Sequence, residues 1–417
     1  MSKFLYTIGI YVYWLVIRIA SVFNPKANDF IRGRKAWLQD LRDITSRKKG
    51  NWIWVHCSSL GEFEQGKPVI DKIKQNYPDY SILLSFFSPS GYNARKNYSS
   101  VDAVVYMPMD VPKNATQFVE TLNPEFALFI KYEFWYHHLR QLKQKNIPVF
   151  LISATFRPSQ VFFKWYGKFF RTMLDFYDAV FLQDPHSQQL VNNVSDTKTQ
   201  VCGDTRFDRV KEIAQKPFQN DLLDAFVKNQ DNIMIAGSTW PADEKMIADC
   251  MDKCPGLKLV LAPHAVDNKH ITQICELFNK WKLCFYTTGT PEEAGNADVL
   301  VIDTIGILSN TYRYGHFAFV GGGFGKGIHN ILEPASYHLP VVFGPNFHRF
   351  IEAGELIRTG AAFPVNNSEE LCHVIQKCSD EKFREQCEKN MHHYLDKKSG
   401  ATIIICRALQ KFDVLKT

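Results

Sequence analysis

Short apolar runs alternate with longer helical stretches through most of this 417-residue chain, and that alternation limits its fold more than any other feature. One series of runs lies at residues 52–56, 81–86, 103–106, 126–130, 148–152 and 179–182. A second series lies at residues 232–236, 258–262, 299–301, 317–320 and 340–343. Strands that alternate with helices form parallel sheets with helices on both faces. The sequence therefore predicts an α/β protein with two Rossmann-like, doubly wound domains.

The segment between the two series is polar and helical in character, which suits a hinge. We expect a first domain at residues 51–205, a linker at 206–230 and a second domain at 231–417. Doubly wound sheets bind ligands at the carboxyl ends of their strands. If the two domains face each other across a cleft, we expect the ligand in that cleft.

The first 50 residues have a different character. Residues 4–23 are mostly apolar, about long enough to cross a bilayer, and lack the cleavage site of a signal peptide. We expect residues 1–23 to form an uncleaved membrane anchor, with an interfacial helix that lies on the membrane as the alternative. Residues 24–50 form a basic arm, which contains Lys26, Arg32, Arg34, Lys35, Arg42, Arg47, Lys48 and Lys49. By the positive-inside rule this arm places the body of the protein in the cytoplasm.

The distribution of charge and cysteine limits the function further. Of the formal net charge of +6, residues 1–20 carry +2, residues 21–50 carry +5 and the remainder carries −1. A nucleic-acid enzyme would have basic surface on its folded domains, so an anionic membrane is the favoured partner. Ten cysteines without a CxxC pair indicate reduced thiols in a cytosolic setting. Cys250 and Cys254 lie one helical turn apart, but no second pair is spaced to complete a zinc site.

The first chemical motif is HCSSLGEFE at residues 56–64, directly after the first apolar run. Its place is that of a phosphate or substrate loop at the start of a helix. A carboxylate there is stabilised as the anion, which makes Glu62 or Glu64 a candidate base. Capping of the helix explains the same carboxylates, and spacing alone favours that alternative.

The second motif is KYEFW at residues 131–135, after the apolar run 126–130. A buried strand that ends in charged and aromatic residues is typical of a site at the sheet edge. Mutual neutralisation of the acidic and basic residues explains the motif equally well.

The third motif has five glycines in seven positions at residues 321–327. Such a run lets backbone N–H groups approach an anion, although glycines also serve a tight turn. Neither the Walker A pattern nor GxGxxG matches, so an anion site is predicted and a dinucleotide site is not. A weaker companion motif, AGSTWP, lies at residues 236–241. The candidate phosphate contacts from the two motifs are Ser238, Thr239, Gly321, Gly322, Gly323, Lys326 and Gly327.

Several motifs occur together in one order: WVHCSSLGE at 54–62, KxExW at 131–135, GDTRFD at 203–208, AGST at 236–239, DTIG at 303–306, and HNILEP at 329–334 with FGP at 343–345. Together they resemble the 3-deoxy-D-manno-octulosonic acid (Kdo) transferases of lipopolysaccharide synthesis, which are membrane-anchored GT-B glycosyltransferases. The resemblance extends from the N-terminal anchor to about residue 360. It implies inverting transfer of Kdo from CMP-Kdo to the 6′-hydroxyl of a lipid A precursor (lipid IVA). It also implies that no metal or other cofactor takes part, and that the protein acts at the cytoplasmic face of the bacterial inner membrane.

The resemblance also assigns roles to residues. Glu62 matches the catalytic base, and Glu133 and Arg206 match residues that stabilise the transition state. The acceptor contacts are assigned to Ser58, Ser59 and Gly61. The CMP contacts fall on Pro263, His264, Ile305, Gly306, Ile307, Asn330, Ile331, Leu332 and Glu333.

Three positions depart from the family pattern. His264 stands where an arginine is usual, Arg206 replaces the more usual lysine, and Glu64 adds a second carboxylate beside the base. Two other functions are compatible with the same fold and membrane anchor. One is a GT-B enzyme that uses a UDP-sugar and a lipid-linked acceptor, and the other is a non-catalytic, membrane-bound nucleotide-binding protein.

Aromatic and cationic residues alternate at residues 162–171. This composition suits the headgroup boundary of a bilayer, although an aromatic helix in the core would have the same spacing. We expect the segment to enter the membrane and receive the lipid acceptor. The residues concerned are Phe162, Phe163, Lys164, Trp165, Lys168 and Arg171.

Overall fold

The computed structural model describes residues 2–48 and 50–416, so Lys49 of the predicted basic arm lies outside the described residues. The chain divides into two compact units. One comprises Met1–Arg209 with Ser399–Thr417, and the other comprises Val210–Lys398. Each unit contains a seven-stranded sheet whose strands pair in parallel. The predicted α/β class with two doubly wound domains is therefore confirmed.

The first unit contains the strands β1 (Trp52–Cys57), β2 (Ser81–Phe86), β3 (Ala103–Tyr106), β4 (Phe126–Ile130), β5 (Val149–Ala154), β6 (Ala179–Leu182) and β7 (Lys198–Val201). Its helices are α1 (Lys3–Ala20), α2 (Pro25–Arg32), α3 (Trp37–Arg47), α4 (Leu60–Asn76), α5 (Pro89–Arg95), α6 (Pro112–Leu122), α7 (Tyr136–Gln144), α8 (Lys168–Leu174) and α9 (Pro185–Asn192). The next helix, α10 (Thr205–Gln215), contains the boundary between the units.

The first sheet has the order β3-β2-β1-β4-β5-β6-β7. Val55 of β1 lies opposite Leu84 on one side and Leu128 on the other. All residues of β1, β2 and β4 are buried, which explains why these strands are mostly apolar rather than alternating. The order reverses between β1 and β4, and doubly wound sheets bind ligands at that switch point.

The second unit contains the strands β8 (Ile233–Thr239), β9 (Lys258–Pro263), β10 (Leu283–Phe285), β11 (Val299–Val301), β12 (Phe317–Val320), β13 (Val341–Phe343) and β14 (Ala362–Pro364). Its helices are α11 (Asp221–Val227), α12 (Pro241–Met251), α13 (Asn268–Leu277), α14 (Pro291–Asn296), α15 (Leu308–Thr311), α16 (Leu332–Ala335), α17 (Ile351–Arg358), α18 (Ser368–Ser379) and α19 (Glu381–Lys398). The sheet order is β10-β11-β9-β8-β12-β13-β14. Its switch point lies between β8 and β12, where the AGST motif and the glycine run are located.

The C-terminal helix α20 (Ala401–Lys411) corrects one expected boundary. We expected residues 231–417 to form one domain, but residues from Ser399 onward belong to the first unit. Ile405 and Leu409 are fully buried in the same core cluster as Ile70 of α4. The carboxylate of Asp208 also accepts hydrogen bonds from the backbone N–H groups of Gly400 and Thr402, both at 2.6 Å. Burial of the apolar side of α20 therefore fixes the end of the chain on the first unit.

The N-terminal helix α1 is long and apolar enough to cross a membrane, and none of its residues is buried. One side of it contacts the first unit. The hydroxyl of Tyr6 donates to the carboxylate of Asp110 at 2.6 Å, and the ring of Tyr13 stacks 6.4 Å from that of Phe87. The other side is apolar and exposed, as at Leu15. Contacts at Tyr6 and Tyr13 therefore hold one side of α1 against the first unit.

The predicted basic arm is not a separate segment. Its helices α2 and α3 bury Phe30 and Leu41 in the first unit. Arg34 is buried as well: its guanidinium donates to the carbonyl oxygens of Phe30, Phe87 and Met107, and burial lowers its pKa to about 9. Arg34 is therefore a structural cation. The exposed basic residues are Lys26, Arg32, Lys35, Arg42, Arg47 and Lys48.

Candidate active site

The two motifs of the first unit meet at its switch point. HCSSLGE runs from the end of β1 into α4, and KYEFW follows β4. Neighbouring parallel strands end at the same sheet edge, so residues 75 positions apart come into contact there. The carboxylate of Glu133 accepts hydrogen bonds from the backbone N–H of Ser58 at 2.7 Å and from its hydroxyl at 2.9 Å.

Glu133 lies below the surface of this site. Its side chain is fully buried and also accepts a hydrogen bond from the indole N–H of Trp135 at 2.5 Å. The imidazole Nε2 of His56 lies 3.3 Å from the same carboxylate oxygen. A fully enclosed carboxylate with these partners holds the turn before α4 in place. Glu133 therefore joins the segment after β4 to the turn before α4 from below the surface of the site.

Glu62 occupies the first turn of α4 and is partly exposed. Its Oε2 accepts hydrogen bonds from the backbone N–H of Ser59 at 2.8 Å and from the Ser59 hydroxyl at 3.0 Å, which completes a capping box. Glu62 therefore does cap the helix, as the alternative interpretation of the motif predicted. Burial, followed by the negative charge of Glu133, raises the pKa of Glu62. A partly exposed carboxylate with a raised pKa is able to accept a proton, so the capping geometry is compatible with a base at this position.

Glu64 has different surroundings. Its carboxylate forms an ion pair with Arg95 at 2.7 Å and lies 3.6 Å from Nε of Arg209. These two cations hold the Glu64 side chain against the body of the unit. Glu62 is therefore the better base of the two on geometric grounds.

Lys131 interacts with both Glu62 and Arg206. Lys131 adopts a backbone φ of 72°, and burial, with the charge of Arg206 next, lowers its pKa. The guanidinium of Arg206 pairs with Asp204 through Nε at 2.8 Å and Nη2 at 2.7 Å, and about a third of its side chain is exposed. Ser59 and Gly61, assigned to the acceptor, lie on this same turn.

The segment 162–171, which we expected to enter the membrane, is not one continuous helix. It consists of a 3-10 turn at Val161–Phe163, a loop and the start of α8. Phe162 is buried against Phe134 at 4.4 Å, so this ring belongs to the core. The Arg171 guanidinium donates to the carbonyl oxygens of Phe162 and Lys164 and holds the loop together.

The exposed tip of that loop consists of Trp165 and Tyr166, and their side chains are 91% and 53% exposed. Lys168 is also exposed, whereas Phe163 and Lys164 are partly buried. Only this tip retains the character of a membrane-contacting surface, because the other aromatic residues were needed to fill the core.

The sequence indicated an anion site at the glycine run of the second unit, but several of these glycines are needed for close packing of the backbone. A Cβ atom at Gly321 would lie 2.3 Å from the carbonyl oxygen of Ser238. A Cβ at Gly323 would lie 2.5 Å from the nitrogen of Gly344. These glycines therefore allow the loop to cross neighbouring strand ends at short distance.

Several N–H groups of the run are already bonded inside the unit. The N–H of Gly321 donates to Gly237, that of Gly322 donates to the Asp243 carboxylate, and those of Gly325 and Gly327 donate to the Gly322 carbonyl oxygen. Thr239, a candidate phosphate contact, is buried and donates to Glu244 at 2.9 Å. The expectation that the whole run cradles an anion is thereby corrected.

The exposed part of the loop forms a cationic cavity of about 400 Å³. Its lining residues are Gly325, Lys326, Asn346, His348 and Arg349. The sequence predicted Lys326 as a phosphate contact. It did not predict His348 and Arg349, which lie in the loop after β13. Positive charge from two separate loops makes this cavity suited to an anionic ligand.

Three aromatic rings form a stack beside the same loop. The ring of Trp240 lies 4.6 Å from that of His264, which lies 4.5 Å from that of His329, with interplanar angles of 27° and 24°. The indole N–H of Trp240 also donates to Nε2 of His329 at 3.0 Å. Burial and the nearby His264 lower the pKa of His329. His264 and Trp240 are exposed, so the edge of the stack is open to a planar ligand.

The other predicted CMP contacts differ in how far they are exposed to solvent. Ile305, Gly306 and Asn330 are exposed, and the Asn330 side-chain amide donates to Glu333 at 3.0 Å. Ile307 and Glu333 are partly buried. Pro263, Ile331 and Leu332 are buried, so their side chains serve the core and only their backbone is placed to contact a ligand.

Several known proteins resemble this chain over most of its length. The family profile described as 3-deoxy-D-manno-octulosonic-acid transferase (kdotransferase) matches residues 33–209. The chain is 26% identical to a 3-deoxy-D-manno-octulosonic acid transferase from Chlamydia muridarum, over 81% of this chain and 80% of the relative. It is also 26% identical to a bifunctional glycosyltransferase/methyltransferase from Fusobacterium nucleatum, over 89% of this chain but only 59% of that longer protein.

Solved structures show the fold. A glycosyltransferase from Rickettsia africae matches with a TM-score of 0.56 and 12% identity, over 89% of this chain and all of that chain. This likeness confirms the predicted GT-B class, with two Rossmann-like domains.

Proposed function

We propose that the chain is a Kdo transferase, which transfers Kdo from CMP-Kdo to the 6′-hydroxyl of lipid IVA. The observation that carries this proposal is the setting of Glu62. It is a partly exposed carboxylate in the first turn of α4, its pKa is raised, and a buried Glu133 fixes the preceding turn. General bases with a pKa brought toward neutrality are common in enzymes that activate a hydroxyl group.

The proposed reaction is a single displacement with inversion. Glu62 takes the proton of the acceptor hydroxyl while that oxygen forms a bond to the anomeric carbon of Kdo. The bond from the anomeric carbon to the phosphate oxygen breaks at the same time, and CMP leaves with the electron pair. In this proposal Lys131 and Arg206 offset negative charge near the reacting groups, which the interaction of Lys131 with Glu62 and Arg206 supports. We propose that no metal or cofactor is needed, because protein groups supply both the base and the positive charge.

The second unit is the proposed donor domain. The open edge of the stack formed by Trp240, His264 and His329 suits a nucleobase, and the cavity beside Lys326 and Arg349 suits the anionic groups of CMP-Kdo. The carboxylate of Glu333 is suited to ribose hydroxyl groups.

The exposed side of α1, the basic residues of α2 and α3, and the tip at Trp165 are the proposed membrane contacts. They support a location at the cytoplasmic face of the inner membrane, where lipid IVA would be the acceptor.

Donor competition tests the proposal. Purified full-length protein is incubated with freshly generated CMP-Kdo and lipid IVA, and product formation is measured with added CMP or UDP. We expect Kdo transfer that CMP inhibits much more strongly than UDP. Transfer from a UDP-sugar without transfer from CMP-Kdo would overturn the proposed donor.

A further inference from the structure

Three cysteines of the second unit bring their sulfur atoms together. Cys250 and Cys254 lie on α12, and Cys372 lies on α18. The Sγ atom of Cys250 is 3.7 Å from that of Cys254 and 2.8 Å from that of Cys372. All three sulfurs lie within 4.8 Å of one another, and all three residues are buried. The sequence predicted only the first pair, because the third cysteine follows 118 positions after Cys254.

The fold holds this cluster in place. Residues four positions apart lie on one face of a helix, so Cys250 and Cys254 point toward the same neighbour. That neighbour is α18, where Cys372 lies between the core residues Leu371 and Val374. The same core cluster contains Ile247 of α12. Since the sulfurs converge from two packed helices, the set of ligands already exists without rearrangement of the backbone.

The identity of the ligand atoms limits which ion fits. Within residues 2–48 and 50–416, no further histidine, cysteine, aspartate or glutamate belongs to the group. Structural zinc takes four protein ligands, and iron–sulfur clusters need four cysteines. Magnesium and calcium require oxygen ligands. Soft sulfur ligands select Cu(I) among the ions that remain.

We propose that Cys250, Cys254 and Cys372 form a binding site for one Cu(I) ion. On binding, each ligating sulfur loses its thiol proton to solvent and forms a bond to copper. Copper remains Cu(I), so no electron is transferred and no oxidant is needed. Metal–thiolate bonds of about 2.3 Å place ligand sulfurs farther apart than 2.8 Å. The Cys372 side chain therefore turns away from Cys250 when the ion enters, while the bound ion links α12 to α18.

Metal binding to reduced, full-length protein tests this site. Cu(I) is added without oxygen in the presence of a coloured Cu(I) chelator, which reports how much copper the protein retains. The parent is expected to retain one equivalent, with three sulfur neighbours in X-ray absorption spectra. Cys372→Ala is expected to lose that equivalent. Cys254→Ala is a second variant, and thermal unfolding shows whether each variant is folded.

Cys275→Ala is the matched control, because Cys275 belongs to the same unit and is only partly buried. It is expected to retain copper as the parent does. Three results would overturn the proposal. These are equal copper retention by folded Cys254→Ala or Cys372→Ala, a disulfide between Cys250 and Cys372 in the protein as purified, and nitrogen or oxygen neighbours around the bound copper.

Discussion

Glu133 accepts hydrogen bonds from both the backbone N–H and the hydroxyl of Ser58, at 2.7 Å and 2.9 Å. This contact joins the segment after β4 to the turn that starts α4. Ser59, the next residue, caps the helix and bonds to Glu62. The position of Glu62 therefore depends on a carboxylate that is itself fully buried.

The first prediction concerns Glu133→Gln. The amide keeps one acceptor oxygen but cannot accept from all of the present donors, so we expect a loss of about 1–3 kcal/mol in the free energy of unfolding. Transfer activity should fall as well, because the turn before Glu62 loses its support. Urea unfolding and the rate of product formation measure the two effects. Unchanged stability and rate would contradict the positioning role.

The second prediction concerns pH. Glu62 must be ionised to accept a proton, so kcat/KM should fall as pH drops through its raised pKa. The charge of Glu133 contributes to that raised pKa, so Glu133→Gln should move the acid limb of the profile to lower pH. Ser58→Ala keeps the charge and should leave the position of the limb almost unchanged, whatever its effect on rate. A limb that does not move in Glu133→Gln would show that another group controls it.

The third prediction concerns the donor domain. Replacing Trp240 with alanine removes the outer ring of the stack and should weaken CMP binding by about 1–3 kcal/mol, in line with base–aromatic stacking elsewhere. Trp240→Phe keeps a ring and should retain most of the affinity. Calorimetric titration with CMP measures both. Equal affinities for the parent and Trp240→Ala would place the base elsewhere.

The fourth prediction separates membrane contact from core packing. Trp165→Ser with Tyr166→Ser should reduce binding to anionic liposomes without lowering the melting temperature, because both side chains are exposed. Phe162→Ala should instead cost about 3–5 kcal/mol of stability, because that ring is buried. Sedimentation with liposomes and thermal unfolding distinguish the two. Undiminished liposome binding by the double variant would remove the loop tip from the membrane surface.

Much of the fold was predictable because strands buried on both faces of a parallel sheet are mostly apolar. All eleven predicted strands exist, with ends that differ by a few residues. The three strands that were missed, β7, β10 and β14, lie at sheet edges. β7 is half exposed and polar, and the other two have three residues each, so none shows a long apolar run. The C-terminal helix was assigned to the wrong unit because its partner surface on α4 lies more than 300 residues earlier.

The site was predictable only in part. The motifs indicated Glu62, Glu133 and Arg206 as candidates, but they did not show that Glu133 is enclosed or that Arg206 is paired with Asp204. The stack of Trp240 with two histidines was missed, since its rings come from three separate loops. Glycines 321 and 323 looked like an anion cradle, because a sequence cannot distinguish close packing of backbone from open N–H groups.

The central claim is that Glu62 is the base for Kdo transfer, and the mass of the product tests it most directly. Parent, Glu62→Gln and Glu64→Gln proteins are incubated with freshly generated CMP-Kdo and lipid IVA. We predict Kdo addition by the parent and by Glu64→Gln, and a rate about 100- to 10,000-fold lower for folded Glu62→Gln. Kdo addition by Glu62→Gln at the parental rate would contradict the account.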